Sequence, residues 1–182
     1  MTVPQGPPWS TDQLEADRQV ALGRFREERM REPLEDYLEA FDRYRSVVED
    51  LLEMTVDLSI IGDVAVEVLS EPSLLDAVRY LAGPPISRDD LQVLTEASLS
   101  PGQIRRDPLL ARKIVDTVLL GLDRNRFPWV TENREPTDVE RSAAAMASAV
   151  LIASSRVMTN RRTESNVAQE AAVRDAEPPR VL

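Results

Sequence analysis

Apolar residues recur at helical spacing along the chain, and this pattern limits the fold more than any other feature. Between residues 34 and 51 the intervals are 4, 3, 3, 4 and 3, through Leu34, Leu38, Phe41, Tyr44, Val48 and Leu51. Such spacing places the side chains on one face of an α-helix. The sequence has no run of four or more alternating β-branched residues bounded by turns, so no strand is predicted. It therefore predicts an all-α fold with this stripe in the core.

Signals for helix starts divide the chain into a bundle of seven or eight helices. Ser10, Ser87 and Thr137 are each followed three residues later by a side chain that completes a capping box. Prolines at positions 72, 101 and 108 favour the first turn of further helices. We expect one helix over 60–69, and another that starts at Pro72 and ends at Gly83.

These signals also predict how the chain is organised. An irregular arm is expected over residues 1–9, a helical body over 10–136, and a disordered tail over 177–182. Between the body and the tail, residues 137–176 should form one long C-terminal helix. Its apolar residues are spaced 4, 3, 4, 3 and 4, through Val139, Ala143, Met146, Val150, Ala153 and Val157. This spacing is typical of a seam on which a second helix packs.

The residue types that are missing exclude several kinds of chemistry. The chain has no Cys and no His, so it has no disulfide, no Cys/His zinc site, no cysteine nucleophile and no Ser-His-Asp triad. Carboxylates, amides and hydroxyls remain as ligands, which suits magnesium or calcium. We see no targeting segment and no apolar stretch long enough to span a bilayer, so a cytoplasmic protein without membrane contact is expected.

Charge is distributed unevenly between the two halves of the chain. The whole chain has a net charge of −10. Residues 1–100 hold 21 acidic and 9 basic residues, whereas residues 101–182 hold 11 acidic and 13 basic residues. The overall charge argues against binding to DNA through the bulk electrostatic field. A local contact through the C-terminal half stays open, and so does a simple solvated acidic surface.

A loop predicted over residues 123–137 combines arginines with aromatic residues. It contains Arg124, Arg126 and Arg134 together with Phe127 and Trp129. Arginines can bind phosphates and aromatic rings can stack on bases. The alternative is a rigid loop that anchors itself by burying its two rings. The residues alone leave both interpretations open.

Several segments resemble the N-terminal half of XamI-type restriction endonucleases. They are EPLEDYLEAFDRYRSVVEDLLE (32–53), RYLAGPPISRDDLQVL (79–94), DTVLLGLDRNRFPWV (116–130), EPTDVERSAA (135–144) and SSRVMTNRRTESNVAQEAAVRDA (154–176). The resemblance runs from about residue 9 to residue 176. It implies cleavage of double-stranded DNA at a short site with a divalent metal, normally magnesium. It also leaves room for a homodimer.

Such nucleases usually carry a PD-(D/E)xK core, in which acidic residues bind the metal and a lysine assists the attacking water. The sole lysine here is Lys113, and Ala111 stands where the motif requires an acid. Lys113 also falls in a predicted helix rather than a strand. We therefore expect a chain that matches the helical N-terminal portion of the family, stops before the nuclease core, and is inactive alone.

The resemblance suggests two sets of site residues. Glu170 is a candidate remnant of the metal site, because a Glu or Gln on the first core helix often contacts the metal in these nucleases; an exposed helical carboxylate is the alternative. The best DNA contacts available are Arg124, Arg126, Arg134, Arg156, Arg161 and Arg162. Two other hypotheses stay open: a stand-alone helical module that binds protein through an exposed seam, and a gene remnant that still folds.

Overall fold

The computed structural model describes the backbone of residues 10–30 and 32–176, and the side chains of 10–27 and 34–163. This part of the chain contains nine helices and no strand. The helices are α1 (Thr11–Met30), α2 (Glu32–Met54), α3 (Ala65–Ser70), α4 (Pro72–Arg79), α5 (Arg88–Thr95), α6 (Pro101–Arg106), α7 (Pro108–Leu120), α8 (Pro128–Glu132) and α9 (Asp138–Ala176). The predicted all-α fold ending in one long helix is confirmed. The predicted arm and tail lie outside the described residues.

The helix starts predicted from capping residues and first-turn prolines are confirmed, because these signals act between neighbours in sequence. The Ser10 hydroxyl accepts a hydrogen bond from the backbone N–H of Gln13 at 3.2 Å, and that of Ser87 accepts one from Asp90 at 3.0 Å. Asp107 caps α7 by accepting from the N–H of Leu110 at 3.0 Å. Each bond satisfies an N–H that the first helical turn leaves without a partner.

Two predicted boundaries are wrong where distant contacts decide them. The helix expected over 60–69 begins only at Ala65. Residues 55–64 form turns instead; near their start, Val56, Asp57 and Leu58 have φ values of 47°, 54° and 74°, which an α-helix does not contain. The helix expected to end at Gly83 ends at Arg79, with Tyr80 as its C-cap.

Helix α2 packs along α9, and the core lies beneath this pair. From the predicted stripe of α2, Tyr44, Val48 and Leu51 are buried. Leu34 and Leu38 at the start of the stripe are 55% and 50% exposed. The stripe is therefore core only in its C-terminal half.

The predicted seam of α9 is not the face that packs on α2. The buried face contains Ala144, Ala145, Ser148, Ala149 and Ile152, with Ala153 beside them. Of the predicted seam, Val139, Met146 and Val150 are exposed. The sequence AAAMASAV is apolar on nearly every face of the helix, so spacing alone did not select the face. Small residues allow two helix backbones to approach closely, which explains why the alanine face is the one on α2.

One segment in the described part of the chain, Asp138–Thr163, is long and apolar enough to cross a membrane by length and composition. The expectation that no such window exists is therefore not confirmed. Length and composition alone give weak support for a membrane span, because the core helix of a soluble protein meets the same criteria. Only 33% of the apolar window is buried.

Candidate nucleic-acid interface

The Arg-rich loop after α7 is fixed to the turn that follows α4. The Gly83 N–H donates to the Gly121 carbonyl at 2.9 Å, and the Asp123 N–H donates to the Leu81 carbonyl at 3.0 Å. A Cβ at Gly83 would lie 3.1 Å from the Cβ of Asp123, so glycine permits this approach. These contacts set the position of the segment that carries Arg124, Arg126 and both aromatic rings.

Both rings of the loop are buried. Phe127 is 0% and Trp129 2% exposed, and the rings meet edge to face with centroids 5.6 Å apart. The Trp129 indole N–H donates to the Asp57 carbonyl at 2.9 Å. This confirms the anchoring interpretation of the rings, which contact the core and so do not offer faces for stacked bases. Contrary to the prediction of a loop over all of 123–137, residues 128–132 form the short helix α8.

Arg126 lies inside the fold, with a side chain only 10% exposed. Its Nε donates to Asp123 at 2.8 Å and its Nη1 to the Ser148 hydroxyl of α9 at 2.9 Å. Its Nη2 donates to the Ala82 carbonyl at 3.0 Å. The hydrogen bond from Arg126 holds the pKa of the Asp123 carboxyl below its ordinary value. Arg126 thus joins three segments of the chain, and these bonds account for it without DNA.

Arg134 is engaged at the start of α9. Its Nη1 and Nη2 donate to the two carboxyl oxygens of Glu140 at 2.8 and 2.5 Å, and its Nε donates to Glu132 at 2.6 Å. Glu140 also accepts from the backbone N–H of Thr137 at 2.8 Å, which completes the predicted capping box. The hydrogen bonds from Arg134 lower the pKa of Glu140 to about 2. A guanidinium held by two carboxylates stabilises the helix start and has few donors left for phosphate.

Arg156 lies on α9 against α2 and α4. It forms an ion pair with Asp76, which also binds Arg79 at 2.8 Å. Its guanidinium lies over the Tyr44 ring, 5.7 Å from the centroid. With 47% of its side chain exposed, Arg156 still reaches solvent, but its charge is already opposed by a carboxylate.

The remaining candidates differ from these three. Arg124 and Arg162 are exposed and form no ion pair with the described part of the chain. Arg161 is half-buried. The structure therefore does not bring the six candidates together in one cluster: Arg124 lies on the loop, whereas Arg161 and Arg162 lie on α9 beyond its last buried position.

The magnesium site implied by the resemblance does not fit the residues that the structure describes. Among them, no group of three or more acidic residues converges as a metal site would require. Glu170 belongs to α9 by its backbone, but its side chain lies outside the described residues. The Lys113 amine donates to the Thr95 carbonyl at 2.8 Å, so it serves the C-terminal end of α5.

One exposed basic pair was not among the candidates predicted from the sequence. Arg105 and Arg106 end α6 and are both exposed. Arg105 has a long contact of 3.5 Å with the Ser70 carbonyl, and Arg106 forms no ion pair with the described residues. Two consecutive arginines before Asp107 and Pro108 were the available signal.

Comparisons with known proteins agree with the resemblance seen in the sequence. A sequence model of the family described as XamI restriction endonuclease matches residues 61–176. The type II restriction enzyme XamI of Xanthomonas campestris pv. amaranthicola is 36% identical over 173 residues, which cover 93% of this chain. The chain spans 62% of the length of that relative. No solved structure gives a significant match.

The region that the family model matches contains helices α3 to α8, including the Arg-rich loop with Arg126 and Trp129. It also contains α9 to its last residue. The family assignment thus covers the loop and the helix that carry the candidate arginines, and about two thirds of the chain. On these grounds the chain belongs to the XamI restriction endonuclease family.

Proposed function

We propose that the chain is the DNA-engaging helical portion of a type II restriction endonuclease, working in the cytoplasm. The observation that carries this proposal is the family match over 61–176 together with the 36% identity to a type II restriction enzyme. Double-stranded DNA is the proposed partner. Cleavage with magnesium is assigned to the family's nuclease core rather than to the helices described above.

Hydrogen bonds and ion pairs within the fold reduce the number of arginines that we propose to bind DNA. Arg126 and Arg134 already use most of their donors within the protein, and Arg156 is paired with Asp76. We assign these three to the framework. Arg124, Arg161 and Arg162 are the proposed phosphate contacts, because they lie in the less acidic half of the chain, where Arg124 and Arg162 are exposed and Arg161 is half-buried beside Arg162.

Binding to duplex DNA is expected to weaken steeply as salt is raised. Each arginine that neutralises a phosphate contributes about 0.9 to the slope of log K against log salt. Changing Arg161 and Arg162 together to Ala should therefore reduce the slope by about 1.8. The measurement is a titration of a labelled duplex over a range of salt concentrations.

The matched control is Arg45→Ala, because Arg45 is exposed on α2 and paired with Glu49 at 3.0 Å. Its slope should equal that of the wild type. An unchanged slope in the double variant would move the contact to Arg124 or to Arg105 and Arg106. Failure of the wild type to bind at low salt would contradict the DNA proposal. It would favour the protein-interaction module, for which the exposed face of α9 is the supporting observation.

The chain alone is proposed to be inactive as a nuclease. Its sole lysine, Lys113, lies in helix α7, where its amine donates to the Thr95 carbonyl. No acidic residue stands two positions before it. Purified protein incubated with plasmid and magnesium should leave the plasmid supercoiled. Metal-dependent cleavage that disappears in Glu170→Ala would contradict this and would assign Glu170 to a metal site.

A further inference from the structure

The surface around α6 and the first half of α7 is basic, although the chain as a whole is acidic. Residues 97–115 contain four basic residues and one acidic residue, in a chain with a net charge of −10. The acidic residue, Asp107, is engaged as the cap of α7. The basic residues are all exposed, and they are Arg105, Arg106, Arg112 and Lys113.

Two of these four basic side chains are engaged within the fold. Arg112 donates to Asp63 at 3.1 Å and to Asp116 at 3.3 Å, so two carboxylates offset its charge. The Lys113 amine donates to the Thr95 carbonyl at the end of α5 at 2.8 Å. These bonds give Arg112 and Lys113 a role inside the protein.

Arg105 and Arg106 have no carboxylate partner among the described residues. Helix α6 packs on α3 and α7. The acidic residues of α3 and of the turn after it are Glu67 and Glu71, and neither forms an ion pair with either arginine. The contact of 3.5 Å from Arg105 to the Ser70 carbonyl is long for a hydrogen bond and does not neutralise the charge. Both guanidinium groups therefore carry a positive charge that the fold does not offset.

We propose that Arg105 and Arg106 bind the phosphate backbone of duplex DNA and form a second contact surface, separate from the one at Arg124, Arg161 and Arg162. The proposal rests on the proposed function. A guanidinium presents a planar set of donors that matches two phosphate oxygens at once. An exposed arginine without a carboxylate partner binds phosphate without first breaking an ion pair, and its binding releases counterions from the DNA.

Helix α4 connects the two surfaces. Arg105 contacts Ser70, which precedes α4, and Asp76 of α4 forms the ion pair with Arg156 of α9. From Arg156 to Arg162 the helix rises about 9 Å. Along this path the guanidinium groups of Arg105 and Arg162 lie no more than about 50 Å apart. A duplex of about 20 base pairs, roughly 68 Å long, is therefore long enough to reach both surfaces.

The experiment measures the binding of such a labelled duplex over a range of salt concentrations. Changing Arg105 and Arg106 together to Ala should lower the slope of log K against log salt by about 1.8. Between about 50 and 200 mM salt, the factor by which the affinity falls should be about twelve times smaller for this variant than for the wild type. Adding Arg161→Ala and Arg162→Ala should lower the slope by about 3.6 in total, because contacts at separate surfaces add.

The matched control is the double variant Arg18→Ala with Arg45→Ala. It changes the net charge by the same amount, but its two exposed arginines are already paired with Glu15 and Glu49, each at 3.0 Å. Its slope should equal that of the wild type. A slope lowered as much as in the Arg105 and Arg106 variant would show an effect of net charge alone and would overturn the second surface.

A further variant, Arg105→Lys with Arg106→Lys, separates phosphate binding from a role in the fold. Basic residues at the end of a helix also stabilise that end. The lysine pair retains both charges and should keep the wild-type slope; a lowered slope in this pair would overturn the proposal. It would also be overturned if the alanine pair kept the wild-type slope while Arg161→Ala with Arg162→Ala lowered it, a result that leaves the proposed function standing. A wild type that fails to bind at low salt would contradict the proposed function itself.

Discussion

Replacing Arg126 with alanine is expected to lower the free energy of unfolding by about 3 kcal/mol. The change removes a guanidinium that is 10% exposed. It leaves the Ser148 hydroxyl and the Ala82 carbonyl without this donor, and it leaves the Asp123 carboxylate with only the backbone N–H groups of residues 125 and 126. Breaking a largely buried ion pair from one side costs more than the pair contributes, because the remaining charge is stranded. Urea unfolding followed by circular dichroism gives the difference.

Arg124→Ala is the matched control for this change. Arg124 lies two residues away, is exposed and forms no ion pair with the described residues, so its loss should change stability by no more than about 0.5 kcal/mol. Arg126→Lys should recover only part of the loss, since an ammonium lacks the planar fork that reaches three segments at once. Equal stability of the two alanine variants would show that Arg126 does not hold the loop in place.

Replacing Trp129 with alanine is expected to cost about 3–5 kcal/mol. The side chain is 2% exposed and packs against Phe127, and its truncation leaves a cavity that the surrounding helices only partly fill. Trp129→Phe should cost less, about 1–3 kcal/mol, chiefly because it leaves the Asp57 carbonyl without its donor.

Leu109→Ala provides the comparison for Trp129, because Leu109 is apolar but 83% exposed on α7. It should unfold within about 0.5 kcal/mol of the wild type. Unfolding of all three variants is best followed by circular dichroism, since Trp129 itself contributes to the fluorescence. A Trp129→Ala protein as stable as Leu109→Ala would contradict the anchoring role.

Arg126 and Trp129 give the segment LDRNRFPWV a structural role. Its Asp123, Arg126 and Trp129 bind the turn after α4, the left-handed turn at residues 56–58 and helix α9. The same left-handed turn is held by Arg141 of α9, whose Nε donates to Asp57 at 2.7 Å. The segment thus holds distant parts of the fold together, and of its two arginines Arg124 is the exposed one.

The helical class and the helix starts followed from the sequence. Capping side chains and first-turn prolines act within three or four residues, so the helix starts at Ser87, Pro108 and Thr137 could be predicted directly. The anchoring alternative for Phe127 and Trp129 was also available, because Pro128 and Pro136 restrict the backbone of this segment. The family resemblance depended on the same local segments.

Tertiary structure alone decided the rest. The bonds that identify Arg126 as a framework residue reach Ser148, 22 positions away, and Ala82, 44 positions away, and no local pattern shows such partners. The face of α9 that packs on α2 depended on which side chains allow the closest approach. An all-round apolar helix satisfies the same spacing rule on two faces. Sequence therefore set where the helices begin, and packing between distant segments determined which of their residues are core, framework or open surface.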